Sequence, residues 1–224
     1  MTCRRWRATF LVLASLASLT WAFAGVLNPA MSQLHAFVSE YSARDQPWRY
    51  LFQTTDVIMG TLLCLAGLAT LVWARHRPLG RQGWSGVGFV AGGFFSVLDA
   101  LVTMDCSPTR SQACMAAEEA GHVSVNHIVH VGTSTIVVVG FALPILLLNS
   151  TMTRFRGFGL VVTWAWVVFT LLNGIGAVVW FVGTPMDYTG IWQRFSLGLG
   201  TLWWLILAAD DIVTARVQDR ARSC

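Results

Sequence analysis

The chain has 224 residues, 55% of them hydrophobic and only 12% charged, with a net charge of +4; its mean hydropathy is +0.59. A soluble domain carries about 25% charge, and a chain this apolar cannot cover its surface with polar groups in water. Composition therefore excludes a soluble enzyme, a disordered regulator and a secreted disulfide scaffold, and leaves a polytopic membrane protein folded as one domain over 1–224.

Six apolar runs are long enough to cross a bilayer, near 8–28, 50–74, 84–104, 123–148, 158–182 and 191–213. The fold class expected is all-α, with six transmembrane helices. The first run follows Arg4, Arg5 and Arg7 and stops at Asn28-Pro29. Ala22-Phe23-Ala24 before Gly25 also gives it the outline of a signal peptide, whose removal would leave five helices; its length favours a spanning helix. The 29–49 loop carries Gln33, His35, Glu40, Tyr41 and Asp45, and reads as a short interfacial helix from Ala30 to Tyr41 closed by a turn at Arg44–Pro47. The 105–122 loop carries Cys106 and Cys114, a pair expected to form a disulfide if that side is not cytoplasmic. Cys3 and Cys224 read as reduced thiols, and Cys64 as a packing residue.

Every basic residue is an arginine, and the arginines sit in short loops rather than on one amphipathic face, which argues against a nucleic-acid partner. Eleven of them (Arg4, Arg5, Arg7, Arg75, Arg77, Arg81, Arg154, Arg156, Arg216, Arg220 and Arg222) fall on one side of the six-helix layout. Four (Arg44, Arg49, Arg110 and Arg194) fall on the other. The positive-inside rule then places both termini in the cytoplasm of a bacterial plasma (inner) membrane. Asp210 and Asp211, near the end of the last run, read as partners for loop arginines on that side.

Ionisable residues inside the runs are costly and often mark function. Asp56, Asp99, His127 and His130 come from three runs, yet all lie roughly 6–11 Å below the outer boundary at a rise of about 1.5 Å per residue. Each continues a helical stripe of small or polar residues: Gln53, Asp56, Gly60, Cys64 and Gly67; Gly88, Gly92, Ser96, Asp99 and Thr103; His127, His130 and Ser134, with Asn126 and Thr133 beside them. Asn173 adds a polar group on the fifth run. Gln193 and Arg194 open the sixth, where Arg194 is expected to reach down to Asp56 or Asp99.

Two readings of this layer stand side by side. It is either a hydrogen-bond network that sets helix registry, or a site opening to the outer leaflet, with Asp56, Asp99, His127 and His130 as the reactive groups. Arg194, Gln193, Ser96, Asn126 and Asn173 would then bind the substrate. The donor types suit three chemistries. His127 and His130 with Asp99 are a ligand set for Zn²⁺ with an open position for water. A buried Asp beside a His suits proton transfer. Haem is disfavoured, because two histidines on one helix cannot flank a ring.

Ser39-Glu40-Tyr41 before Pro47, the acid at Asp105 after the third run, His127 at the start of the fourth, and Gly190-Ile191-Trp192-Gln193-Arg194 opening the last together resemble the bacterial domain-of-unknown-function 998 family, over roughly 10–212. The chain is more distantly similar to Frag/DRAM-type membrane proteins. The resemblance implies a six-helix integral membrane protein and assigns no activity. Thr103-Met104 stand where that family's pattern has a proline before the acid. A weaker likeness is to the alkaline ceramidase and adiponectin-receptor hydrolases, which hold zinc in the membrane; they have seven helices and a longer histidine spacing, so no ligand carries over. The function expected is binding or processing of a lipid or other hydrophobic molecule at an outer-leaflet polar pocket. The alternative is a non-catalytic accessory or scaffold protein.

Overall fold

A computed structural model describes residues 3–75, 80–181 and 188–223, without the side chains of Trp180, Phe181, Arg222 and Ser223. Arg77 and Cys224 lie outside the described residues. In order the helices are α1 (Cys3–Ser18), α2 (Ala24–Leu27), α3 (Arg49–Ala74), α4 (Arg81–Leu101), α5 (Gln112–Glu119), α6 (Val125–Leu148), α7 (Arg156–Phe181) and α8 (Thr189–Ser223). A 3-10 stretch, Leu19–Phe23, joins α1 to α2. Six helical spans are long and apolar enough to cross a membrane: Cys3–Leu27, Arg49–Ala74, Arg81–Leu101, Val125–Thr151, Arg156–Val179 and Thr189–Ala221. The all-α, six-span expectation holds. The first run is a working helix of the bundle, with Ala8, Leu11 and Ala14 fully buried in the core.

Neighbouring helices pack in the order α6, α4, α3, α1, α8, α7, and Phe141 meets Trp204 edge-on to bring α6 against α8. The central helix, α4, is glycine-rich on two faces. A Cβ on Gly93 would lie 2.4 Å from the Gly60 carbonyl oxygen of α3, and one on Gly88 would lie 2.7 Å from that of Gly140 on α6. Gly60 and Gly67 of the α3 stripe and Gly88 and Gly92 of the α4 stripe are thus close helix contacts, while Gly86 and Gly93, which face α3, and Gly140 of α6 lie outside the stripes read from the sequence.

At the end that carries both termini, Arg7 makes a two-pronged bond to Asp211, 2.7 Å on each arm, with Arg4 at 3.6 Å from the same carboxylate. Asp210 accepts backbone N–H groups of Thr153, Arg154 and Phe155 at the approach to α7. The two aspartates therefore serve α1 arginines and a loop backbone, rather than loop arginine side chains.

The opposite end is closed by a cap made from residues 28–48, 102–124 and 188–194. Here two expectations are corrected. No helix runs from Ala30 to Tyr41; the segment is turns followed by a 3-10 stretch, Val38–Ser42. The carbonyls a helix would need are taken by α8: Arg194 Nη1 donates to Gln33 O and Ala36 O, Ile191 N to Leu34 O, and Thr189 Oγ1 to His35 O. Gly190 permits this approach, since a Cβ there would meet Ala36 O at 2.4 Å. The third span ends at Leu101 rather than 104: Val102 leaves the helical conformation, the Asp99 and Val102 carbonyls face His130 Nδ1, and Met104 O accepts the Arg44 N–H. Cys106 and Cys114 form the expected disulfide, with Cα atoms 6.0 Å apart, bracing the turn before α5.

Candidate functional site

The cap is organised around Glu40, which is fully buried. Its carboxylate accepts from Phe37 N at 2.8 Å, Ser107 Oγ at 2.5 Å, Thr109 N at 3.1 Å and Thr109 Oγ1 at 2.6 Å. Burial pushes the Glu40 carboxyl above its ordinary value, while these four donors pull the other way. Gln46 ties Asn28 to Arg110, and Gln193 Oε1 accepts from Val38 N. Tyr41 lies under Arg194.

Beneath the cap runs a chain of titratable groups. Glu118 on α5 puts Oε1 3.9 Å from His127 Nε2. Burial, then the charges of Glu40 and Glu119, push its carboxyl above the ordinary range. His127 Nδ1 accepts the Asp105 N–H at 3.3 Å, so the neutral ring carries its proton on Nε2. One turn further along α6, His130 Nδ1 lies 3.1 Å from Asp99 O, 3.0 Å from Val102 O and 3.2 Å from Asp99 Oδ1. Three acceptors around one nitrogen make it the donor, so Nε2 of the neutral ring is a bare lone pair. Asp99 also accepts from Thr133 Oγ1, and from Ser134 Oγ at 2.9 Å. Asp56, half-buried on α3, is close enough to Asp99 for the two side chains to interact electrostatically. Both histidines are buried, and neither Nε2 has a hydrogen-bond partner among the described residues; the same holds for Glu118 Oε2 and Ser96 Oγ.

Of the four reactive groups expected, Asp99 and His130 are in direct contact, with His127 one turn away on α6 and Asp56 on the adjacent α3. Arg194 is not part of this group: its bonds run to cap carbonyls and Tyr41 OH, so the expected neutralisation of Asp56 or Asp99 is absent. Gln193 likewise serves the cap. Asn126 is half-buried beside His127, and Asn173 sits on α7 with an unpartnered, buried Oδ1. Among the described residues no three His, Cys, Asp or Glu side chains converge as metal ligands, so the Zn²⁺ set of His127, His130 and Asp99 is not assembled. The reason is visible at His130, whose Nδ1 and Asp99 face each other while its Nε2 points elsewhere. Glu40 and Glu118 were missed as site residues. Glu40 lies in a segment without helical periodicity, signalled by Ser39-Glu40-Tyr41, and Glu118 lies on α5, a helix of eight residues within the 105–122 connection that was read as a loop.

Asp105 links cap and layer. Burial is the largest single influence and raises its carboxyl, but the Ser124 N–H and hydroxyl, then Arg44 at 3.3 Å and His127, together outweigh it and hold the group below its ordinary value. A depressed folded value means that these contacts stabilise fully above about pH 4, the unfolded value, and are lost as pH falls through the folded one. Exchange of the Ser124 amide is expected to be protected at neutral pH and to quicken in strong acid. In Asp105→Ala it should be fast throughout, and pH-independent protection in the wild type would refute the assignment.

No curated protein and no solved structure is significantly similar to the chain. Residues 11–210 match the family described as "Protein of unknown function (DUF998)", and with the match spanning most of the chain, the protein belongs to that family.

Proposed function

We propose that the protein binds, and by proton transfer processes, an amphipathic molecule entering from the outer leaflet of a plasma membrane, with the Asp99–His130 pair as its proton-handling group and both termini in the cytoplasm. The observation that carries this reading is the His130 ring, oriented at Nδ1 by Asp99 and left bare at a buried Nε2. A carboxylate that holds an imidazole in one tautomer readies the far nitrogen to take a proton. His127 supplies the complementary N–H, one turn away, with Glu118 beside it. A donor and an acceptor side by side suit a ligand hydroxyl or amine. Metal assistance forms no part of the proposal, since no three-ligand set converges among the described residues.

A second reading, a scaffold with a structural polar layer, is favoured by one observation: His130 Nδ1 closes the carbonyls at the end of α4, and Asp99 is satisfied by Thr133 and Ser134. His130→Asn separates the two, because its amide can replace the Nδ1 donor but not the basic nitrogen. Purified wild type and variant would be compared by mass spectrometry of co-purified lipids and of defined lipids after incubation. A species retained or converted by the wild type and not by a well-folded variant is expected. Identical lipid profiles would leave the scaffold reading.

A further inference from the structure

A second, independent feature lies at the other end of the bundle. Between α1 and α8 an open groove of about 350 Å³ is lined by Arg5, Thr9, Ile212 and Arg216. The spacing is one helical turn on each wall, so Arg5 and Arg216 form the mouth while Thr9 and Ile212 lie about 6 Å deeper toward the membrane. Most charges near this end are already committed. Arg7 and Arg4 serve Asp211 and stack on Trp73, and Asp210 serves the 153–155 backbone. Arg5 bonds Asp219. Arg216 is exposed and has no hydrogen bond or ion pair among the described residues.

We infer that this groove is a binding site for an anionic phospholipid of the leaflet on the terminus-bearing side, its phosphodiester held between Arg216 and Arg5. Two arginines against Asp219 leave one positive charge at the mouth, matching the single negative charge of a phosphodiester. The polarity falls with depth as it does along a lipid: arginines at the mouth, then the Thr9 hydroxyl and the Ile212 side chain on facing walls one turn deeper. Exposed Leu13 and Leu16 continue the Arg5–Thr9 face of α1. They stand about 12 and 17 Å below the mouth, within the depth of one leaflet, and offer a track for an acyl chain. A second groove of similar size on the outer half of α1, lined by Leu16, Leu19, Thr20, Phe23, Val26, Leu27 and Leu51, has no charged wall. Apolar lining alone therefore does not distinguish the site; the free arginine does. The inference is independent of the polar layer beneath the cap.

The test uses the full chain in detergent, with phosphatidylglycerol and phosphatidylcholine of matched acyl chains offered at equal concentration and retained lipid counted by native mass spectrometry. Wild type is expected to retain phosphatidylglycerol preferentially. Arg216→Gln should lower that preference about fivefold, the contribution of one arginine near an anionic surface. Arg156→Gln, an equal charge loss at the start of α7, should leave it unchanged. Equal retention of both lipids by the wild type would overturn the site. Equal loss in both variants would also overturn it, in favour of a diffuse basic face. Displacement of the bound lipid by millimolar inorganic phosphate would reassign the groove to free phosphate.

Discussion

Replacing Glu40 with alanine is expected to release the outer cap while leaving the six spans folded. The carboxylate accepts four hydrogen bonds in a site with no solvent exposure, two of them from the backbone N–H groups of Phe37 and Thr109. The Ser107 and Thr109 hydroxyls can rotate to other acceptors, but the two N–H groups cannot. At about 1–3 kcal/mol for each stranded buried donor, the loss is about 2–6 kcal/mol, comparable to the whole stability of a loop assembly. Glu40→Gln should fall at the lower end, because the amide keeps one acceptor and opposes its NH₂ to whichever N–H it faces. Limited proteolysis in the 28–48 segment, with and without the Cys106–Cys114 disulfide reduced, reads the release directly. A cap as protected in Glu40→Ala as in the wild type would show that Arg194 and the disulfide hold it alone.

The contrast between what the sequence revealed and what it concealed has a physical basis. Spans need only composition and length, and the Gly88 and Gly92 contacts of α4 need only a 3.6-residue period, so both were legible. That Asp99 and His130 come from neighbouring spans at similar depth was legible from residue count, although the count put Asp99 deeper than the structure does. The reach of Arg194 was misjudged. Side chains on a helix tilt toward its N-terminus, so an arginine five residues into α8 points up into the cap rather than down toward Asp99. Glu40 carries no periodicity, and three of its four donors come from Ser107 and Thr109, more than sixty residues away. Asp99 was placed five residues below the helix end, but α4 stops at Leu101. The residue therefore sits two positions from the end, where His130 can meet both its carboxylate and its carbonyl.

At the opposite end, the Arg7–Asp211 pair sets up the other large effect. Both side chains are essentially buried, at 3% and 1% exposure. Breaking such a pair by removing one partner costs about 3–5 kcal/mol, whereas replacing both with apolar residues is often neutral. The two single losses should differ. Asp211→Leu leaves Arg7 buried with no carboxylate and Arg4 without its partner at 3.6 Å. Arg7→Met leaves Asp211 still facing Arg4, and Trp73 still covered by one guanidinium. The expected order of destabilisation is Asp211→Leu, then Arg7→Met, then Arg4→Met, with the Arg7→Met/Asp211→Leu double variant more stable than Asp211→Leu alone. Unfolding in mixed micelles measures all four. Additive losses in the double variant would mean that the two residues act separately. The bond would then not be what fixes α1 against α8, and the groove between those helices would need another explanation for its shape.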